Sequence, residues 1–327
     1  MTGLSPNIGP FGLYKEQTMY IHFKYPPIIA IASLSLVIAS GQILAAPNGN
    51  PTLPGGTTQF FIAEFPPITG NYLQIISSYS KADQFNDQNG DKKYDQDLKV
   101  AAQTLRLTTT WDKKILGSDI TISEIIGTYV DLNNQIHTPY GDVKLNDDGL
   151  ADVLFEPLIL QWNKGQQKQW QMVAGLGFVL PIGTYSKSHD VNVAGHYFSI
   201  APRVALKYKF ENGLEAAISP MVNFNWKNSD SNYKTGNELT IDYLLAYHSN
   251  NWRFGATGYY YTQLENDELD GQEIKDSKTK SFSIGPAIQY QFMNGKGPLV
   301  SASWIKDVES ENKAEGQTFW LSAAIKF

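Results

Sequence analysis

At 327 residues, with a formal net charge of -6 and a pI near 5.4, the chain is too acidic to offer a phosphate-binding surface, which argues against nucleic acid as a partner. It contains no cysteine, so disulfides and thiolate metal sites are excluded. The high aromatic content and the 27 glycines favour strands and turns over helices.

Residues 1–46 have the pattern of a secretory signal peptide. An apolar core leads to the small residues Ala45 and Ala46, where we expect cleavage. Residues 1–18 precede a second methionine, Met19, and we interpret them as a spurious upstream extension. The alternative is a membrane anchor, but the apolar run is shorter than the roughly 20 residues that a spanning helix needs. The segment therefore predicts an exported protein.

Residues 47–70 combine proline and glycine with an aromatic patch at Phe60, Phe61 and Phe65. These aromatic side chains would be exposed if the segment extended freely into water. We expect the segment to insert as a plug into the domain that follows it. The alternative is a flexible periplasmic leader, because termini are often disordered.

From residue 71 to residue 327 apolar and polar side chains alternate with a period of two, the pattern of strands with one apolar face. The segment from Phe198 to Phe210 is an example, with Ser199, Arg203 and Lys207 on its polar face. The pattern predicts twelve strands, centred near residues 76, 104, 122, 155, 176, 203, 220, 243, 257, 286, 302 and 322. No run of 18 apolar residues follows residue 46, so the mature chain has no predicted transmembrane helix.

The predicted connections alternate between short and long. Short ones follow Trp111, Trp162, Phe210, His248 and Met293. Long polar ones cover residues 82–97, 131–148, 186–195, 227–236, 264–279 and 307–316. An exported chain without spanning helices can enter a bilayer only as a closed barrel, because unpaired backbone groups are costly in hydrocarbon. We therefore predict an all-β, transmembrane antiparallel β-barrel of about 12 strands over residues 71–327, with short periplasmic turns and long extracellular loops.

The last strand ends the chain without a polar tail. Its alternate side chains are apolar and are interpreted as lipid-facing and as a membrane-assembly signal: Phe319, Leu321, Ala323, Ile325 and Phe327. Two aromatic belts are predicted, at the periplasmic and outer strand ends. The first comprises Trp111, Trp162, Trp170 and Trp252, and the second comprises Trp226, Trp304 and Trp320. Because proline removes a ladder donor, we expect bulges or local breaks at Pro157, Pro202, Pro220 and Pro286.

Charged and aromatic side chains on the polar faces predict a lumen. The candidates for a substrate path are Arg106, Arg203, Glu215, Asp242, Arg253, Tyr259 and Tyr261. A charge on the lipid face would cost about 2 to 4 kcal/mol for Arg or Lys, so the charged side chains should point inward. They form either an ion-pair network that fills the interior or a polar constriction, and the tyrosines belong either to the path or to packing. The sequence leaves these alternatives open.

Several segments of the second half resemble a known family: LPIGTY at 180–185, HYFSIAPRVALKYKF at 196–210, residues 235–267, SFSIGPAIQYQF at 281–292 and the terminal FWLSAAIKF. The pattern is similar to the outer-membrane family named for the meta-pathway of phenol degradation. The resemblance implies passive uptake of small hydrophobic or aromatic compounds across the outer membrane of a Gram-negative bacterium. It supplies no catalytic motif.

The sequence leaves two alternative functions. One is a structural or adhesive barrel without transport. The other is a lipid-modifying enzyme, for which Ser188, His189 and Asp190 are the candidate residues, although their closeness in sequence does not make a triad. The acidic stretch at 83–97 lacks regular calcium-loop spacing and is interpreted as a solvated loop.

We therefore predict no catalytic residue, cofactor or metal. The expected partners are outer-membrane lipid and lipopolysaccharide, the barrel-assembly machinery and a small apolar or aromatic substrate. Calcium bridging to lipopolysaccharide remains open.

Overall fold

A computed structural model describes residues 51–295 and 297–327. The predicted signal peptide, its upstream extension and the cleavage site at Ala45 or Ala46 lie outside the described residues. Among the residues that are described, no helix is both long enough and apolar enough to cross a membrane.

The described chain is built from antiparallel strands, with one-turn 3-10 helices at Gln59–Phe61 and Phe292–Gly295. In chain order the strands are β1 (Gly70–Asn86), β2 (Lys92–Trp111), β3 (Ile120–Thr138), β4 (Gly141–Leu150), β5 (Val153–Lys164), β6 (Trp170–Leu180), β7 (Ser199–Lys209), β8 (Leu214–Asn225), β9 (Tyr233–Lys234), β10 (Glu238–Ser249), β11 (Trp252–Gln263), β12 (Glu268–Leu269), β13 (Gln272–Glu273), β14 (Lys280–Gln291), β15 (Leu299–Glu311) and β16 (Ala314–Lys326).

Thirteen strands form one sheet, and β9, β12 and β13 form a small separate one. Within the large sheet β4 pairs only with β3, and the other twelve strands form a ring. The ring closes where β1 pairs with β16, for example at Ile75 opposite Ala323. Closure leaves no free edge within lipid, which is the condition for a spanning sheet. The predicted twelve-stranded barrel is confirmed.

The two faces of the wall differ as a spanning barrel requires. In β7, Ser199, Ala201, Ala205 and Lys207 are buried inside, whereas Val204 and Leu206 are exposed outside. The outer surface of the ring carries an apolar band that includes Leu105, Ile125, Leu176, Ile218, Leu245, Phe254 and Ile288. In the last strand Phe319, Leu321, Ala323 and Ile325 face outward, and Phe327 beyond its end is exposed. This outer band is the surface that lipid covers.

The connections define two ends of the barrel. The turn end carries the connections after β2, β5, β7, β10 and β14, and β1 also begins there. The loop end carries the longer segments 181–198, 226–237 and 264–279. By the usual asymmetry of such barrels, the turn end is periplasmic and the loop end extracellular.

Three predicted long loops are shorter than expected. Residues 82–97 are largely strand, because β1 ends at Asn86 and β2 begins at Lys92. Residues 131–148 form the β3–β4 hairpin, and only Asn312 and Lys313 separate β15 from β16. These strands continue past the lipid band into water, where their outward side chains are polar. Polar composition there was wrongly interpreted as a loop.

The four strand prolines behave in two ways. At Pro157 the register of β5 shifts against both neighbouring strands, as in a bulge. Beside Pro202 and Pro220 the β7–β8 ladder is interrupted and resumes in the same register, and the β14–β15 ladder does the same beside Pro286. The expectation of bulges or local breaks is confirmed.

Six of the seven tryptophans fit the predicted belts, but Trp320 does not. Its side chain is only 7% exposed and packs inside the barrel against Ile76 and Ile305. Trp320 lies next to Phe319 in an alternating strand, so only one of the two can face lipid. The prediction of Trp320 as a belt residue was wrong for this reason.

Candidate functional site: the lumen and the segment that crosses it

The chain before the first strand runs through the lumen. We call residues 51–69 the luminal segment. At the loop end the hydroxyl of Thr52 lies 2.7 Å from that of Tyr197, and at the turn end the carbonyl of Pro66 accepts a hydrogen bond of 3.0 Å from Thr110. The segment therefore passes along the interior from one end of the barrel to the other.

Apolar side chains of the luminal segment fill the lower lumen. Phe60 is fully buried, and Ile62, Ala63 and Phe65 are buried with it against inward residues of several strands. Phe61, the next aromatic residue, is only partly buried. A 3-10 turn at Gln59–Phe61 brings these side chains together, and Gln59 is tied to β15 by a 2.7 Å hydrogen bond from Ser301.

The first group of charges lies around Phe60, near the turn end. The ammonium of Lys207 is fully buried and donates to the Phe60 carbonyl at 2.9 Å and to Glu64 at 2.6 Å. The guanidinium of Arg253 also donates to Glu64, at 3.1 Å, and pairs with Glu215. The barrel wall here presents two buried cations and one buried carboxylate, so Glu64 supplies the second negative charge. An unpaired buried charge is strongly unfavourable, and the segment removes that imbalance.

Glu64 is held ionised by this environment. Burial on its own would raise the pKa of the Glu64 carboxyl, but the nearby charges of Arg253, Lys207 and Lys209 outweigh it and hold the pKa well below its ordinary value of 4.5. The carboxylate is therefore negatively charged at neutral pH and pairs with the wall.

The second group of charges surrounds Phe65. Arg106 makes hydrogen bonds of 3.0 and 2.8 Å to Glu124, and Arg203 makes one of 2.8 Å to Glu156. Both guanidinium groups lie over the Phe65 ring, 5.7 and 5.5 Å from its centre, in cation–π geometry. The backbone N–H of Phe65 also donates to Gln161 at 3.0 Å. The side chain of Phe65 is thus held by the inner ion pairs of the wall.

Nearer the loop end, two carboxylates of β10 hold the segment through its backbone. Asp242 accepts hydrogen bonds from the N–H of Gly56 at 2.8 Å and from the hydroxyl of Thr58 at 2.5 Å. Glu238 accepts from the N–H of Thr52 at 3.2 Å and from the hydroxyl of Tyr261 at 2.7 Å. These acceptors replace water for backbone groups that the lumen buries.

Tyr259 packs directly on the two glycines of the segment. A Cβ added to Gly55 would lie 2.5 Å from Cγ of the Tyr259 ring, and Gly56 adopts a φ of +78°. Glycine is needed at the first position for close approach and at the second for its left-handed backbone.

Beside and above the charged groups lies a cavity of about 420 Å³. One side is apolar, and the other is formed by the luminal segment with Tyr197 and Tyr259. Arg106, Arg203 and Glu156 also contribute to its lining. Its apolar lining includes Ile76, Leu98, Val100, Ile126, Val130, Leu132, Leu154, Val191 and Val193.

The seven residues predicted to face the lumen all lie inside the barrel. Arg106 and Arg203 belong to the group around Phe65, and Glu215 and Arg253 to the group around Phe60. Asp242, Tyr259 and Tyr261 instead contact the luminal segment or its partners. The structure therefore brings them together in separate clusters along one segment, and their part in a substrate path remains a prediction.

The site also contains Glu64, Glu124, Glu156 and Lys207, which were not among the predicted site residues. Lys207 had been placed on the polar face of its strand, and the same alternation could have identified Glu124 and Glu156. Glu64 lies in an irregular segment, where no periodicity indicates its direction.

The residues considered for enzymatic chemistry lie in the connection 181–198. Nδ1 of His189 lies 3.2 Å from Asp147, and the hydroxyl of Ser188 lies 2.7 Å from that of Ser186. His189 is thus paired with a carboxylate of β4, and Ser188 with a neighbouring serine. In the acidic stretch, Asp87 accepts hydrogen bonds from the N–H groups of Asn89 and Asp91, as in a tight turn.

A closed antiparallel barrel with an apolar outer band and a polar, partly filled lumen defines an outer-membrane β-barrel protein, located in the bacterial outer membrane. The sequence profile of the family described as "Putative MetA-pathway of phenol degradation" matches residues 82–323, and the chain belongs to that family. No curated protein sequence matches the chain at a significant level.

One of three similar solved structures shares the fold. An outer-membrane channel from Pseudomonas putida F1 aligns with a TM-score of 0.68 and 14% identity, over 84% of this chain and 100% of that one. The β domain of the Bordetella autotransporter BrkA aligns with a TM-score of 0.46 and 12% identity, over 79% of this chain and 99% of that one. The translocator domain of NalP from Neisseria meningitidis aligns with a TM-score of 0.43 and 10% identity, over 80% of this chain and 89% of that one. The last two similarities are too weak to support an argument about this chain.

Proposed function

We propose that this protein is a passive outer-membrane channel for small, mostly apolar or aromatic molecules, and that the luminal segment closes its lower half. The observation that carries the proposal is the cavity of about 420 Å³, which has an apolar wall and lies against the luminal segment. A site of this size and lining suits a small apolar ligand. The family description, which refers to phenol degradation, agrees with an aromatic substrate.

The luminal segment acts as a plug in this proposal. It is held by hydrogen bonds and ion pairs to β2, β5, β7, β10, β11 and β15. Among the described residues, it makes no ladder contact with the wall. Side-chain contacts of this kind can be exchanged for water one at a time, whereas the barrel ladders are cooperative. The segment can therefore leave the lumen while the wall stays intact.

Deleting residues 51–68 tests the proposal. We expect the deletion variant to give a larger single-channel conductance in planar bilayers than the full chain. Cells that carry the full chain should take up the neutral aromatic probe N-phenyl-1-naphthylamine faster than cells without it. Unchanged conductance after the deletion would exclude the plug, and equal probe uptake in both cell types would exclude the channel for apolar molecules.

A structural or adhesive barrel without transport is the second candidate. The dense ion pairs around Phe60 and Phe65 favour it, because they fill and stiffen the lumen. The same uptake measurement separates the two functions. A lipid-hydrolysis assay that compares the wild type with a variant in which Ser188 and His189 are replaced tests the enzyme alternative. We expect no protein-dependent hydrolysis from either protein.

A further inference from the structure

The two arginines at the lower end of the cavity differ in how they use their hydrogen-bond donors. Arg106 donates from Nε and Nη2 to Glu124 and, at 3.4 Å, from Nη1 to Gln74. Among the described contacts, Arg203 makes a single hydrogen bond, from Nε to Glu156 at 2.8 Å. Its Nη2 has no acceptor among the described residues and lies 3.8 Å from Oε2 of Glu124. One guanidinium is thus saturated, and the other keeps a free donor.

The free donor belongs to a buried side chain. The side chain of Arg203 is only 8% exposed, so bulk water does not take the place of the missing acceptor. A buried donor without an acceptor is unfavourable. Because Arg203 lines the cavity, a ligand oxygen in the cavity can satisfy the guanidinium.

An apolar surface begins directly above this group of charges. In the β3–β5 ladder Glu124 lies opposite Glu156, and the next inward pair towards the loop end is Ile126 opposite Leu154. Both apolar side chains line the cavity. A ligand whose apolar body lies against Ile126 and Leu154 therefore has its lower end beside Arg203.

The balance of charge at this end favours a neutral ligand. Arg106 and Arg203 are matched by Glu124 and Glu156. Asp242 also lines the cavity, and its hydrogen bonds come from neutral donors of the luminal segment. Two cations thus stand against three carboxylates. A ligand carboxylate would add a further negative charge to this buried set, whereas a neutral oxygen adds none.

We propose that Arg203 selects, among small apolar or aromatic molecules, neutral ones that carry a hydrogen-bond acceptor oxygen, such as aryl ketones, aldehydes and esters. The oxygen accepts from the side of the guanidinium that carries Nη2, and the apolar body packs on Ile126 and Leu154. The proposal rests on the proposed function and adds the chemical class of the substrate. A site with a buried donor strongly rejects an analogue that lacks the acceptor, whereas an apolar pocket discriminates only weakly.

Three competitors of similar size test this selection. 2-Acetylnaphthalene carries a neutral acceptor oxygen, 2-ethylnaphthalene carries none, and 2-naphthoate carries a carboxylate. Each competes with N-phenyl-1-naphthylamine for protein-dependent uptake by cells. Its half-inhibitory concentration is corrected for its partition into membranes of cells that lack the protein.

We expect the ketone to inhibit uptake at a corrected concentration about tenfold lower than either the hydrocarbon or the carboxylate. Equal inhibition by the ketone and the hydrocarbon overturns the selection by Arg203. Stronger inhibition by 2-naphthoate than by the ketone overturns the choice of a neutral ligand. This comparison needs only the wild type, so it does not depend on the folding of a variant.

A pair of variants assigns the selection to Arg203. Arg203→Met with Glu156→Gln removes the free donor together with its partner, so that no lone charge is left. The matched control, Arg106→Met with Glu124→Gln, removes the saturated ion pair over the same Phe65 ring. Gel mobility of heated and unheated samples identifies the variants that assemble. The readout is the ratio of the half-inhibitory concentrations of hydrocarbon and ketone, because either change can alter the uptake rate.

We expect the Arg203 variant to lose the tenfold preference for the ketone and the Arg106 variant to keep it. A preference that survives in the Arg203 variant, or one that is lost equally in both variants, overturns the proposal. Absence of protein-dependent uptake of N-phenyl-1-naphthylamine in the wild type overturns the channel itself. Uptake without selection leaves the channel in place, so the two failures are distinct.

Discussion

Nζ of Lys207 lies 2.6 Å from Oε2 of Glu64, although 143 residues separate the two in the chain. This contact ties an irregular segment to the barrel wall and balances two buried cations with a second carboxylate. It makes the position of the luminal segment sensitive to a single charge.

Replacing Glu64 with glutamine should displace the luminal segment. The change leaves Glu215 as the only carboxylate partner of Lys207 and Arg253 among the described residues. Losing a charged hydrogen bond costs about 2 kcal/mol, or roughly 30-fold in the ratio of displaced to inserted segment. We expect more frequent or larger open-channel currents in planar bilayers. The exposed Glu211→Gln should behave like the wild type. In the double variant Glu64→Gln with Lys207→Met, the luminal segment should return partly to its inserted position, because the unpaired cation is gone.

The channel should open at low pH. The folded-state pKa of Glu64 lies below 4.5, so its stabilising contribution is fully present above about pH 4.5 and is lost as the pH falls through the folded value. Conductance should thus be constant from pH 7 to 5 and rise below about 4.5. The Glu64→Gln variant should lack this rise, and an equal acid response in that variant would assign the effect to other groups.

A side chain at Gly55 should also release the segment. The Cβ of alanine would lie 2.5 Å from Cγ of Tyr259, closer than real Cβ contacts. Gly55→Ala should increase conductance, and adding Tyr259→Ala should restore the closed state by removing the clash. Gly127→Ala, where nothing lies within 4 Å of the added Cβ, is the matched control. If Tyr259→Ala does not restore the closed state of the Gly55→Ala variant, the effect does not come from the contact between Gly55 and Tyr259.

Phe327 should matter for assembly more than for stability. Phe327 is exposed. Among the described contacts, its backbone is held only by the hydrogen bond of 3.1 Å from its N–H to the carbonyl of Asn71. We expect Phe327→Ala to lower the amount of protein assembled in the outer membrane, while refolding in detergent stays unchanged. Gel mobility of heated and unheated samples measures both. The outward change Leu245→Ala controls for loss of apolar surface, and an equal assembly defect there would argue against an assembly signal at Phe327.

Much of the barrel could be read from local pattern. The period of two, the apolar outer face and the alternating direction of side chains follow from a wall that has lipid on one side and polar groups on the other. That constraint acts on each strand independently, which is why residues such as Arg253, Phe319 and Ile325 were placed on the correct faces. The heights of β1, β2 and β3 above the lipid were not predicted, because the outward side chains are polar where the strands stand in water and the apolar outer face ends there.

What the sequence determined by itself is therefore the class of wall: antiparallel strands that must close in lipid. Only the tertiary structure decided that Glu64 meets Lys207, that Phe65 lies under Arg106 and Arg203, and that β3 exchanges β5 for β4. Such partners depend on the stagger between distant strands and on the path of a segment without periodicity. Neither quantity is fixed by the residues that lie next to one another in the chain.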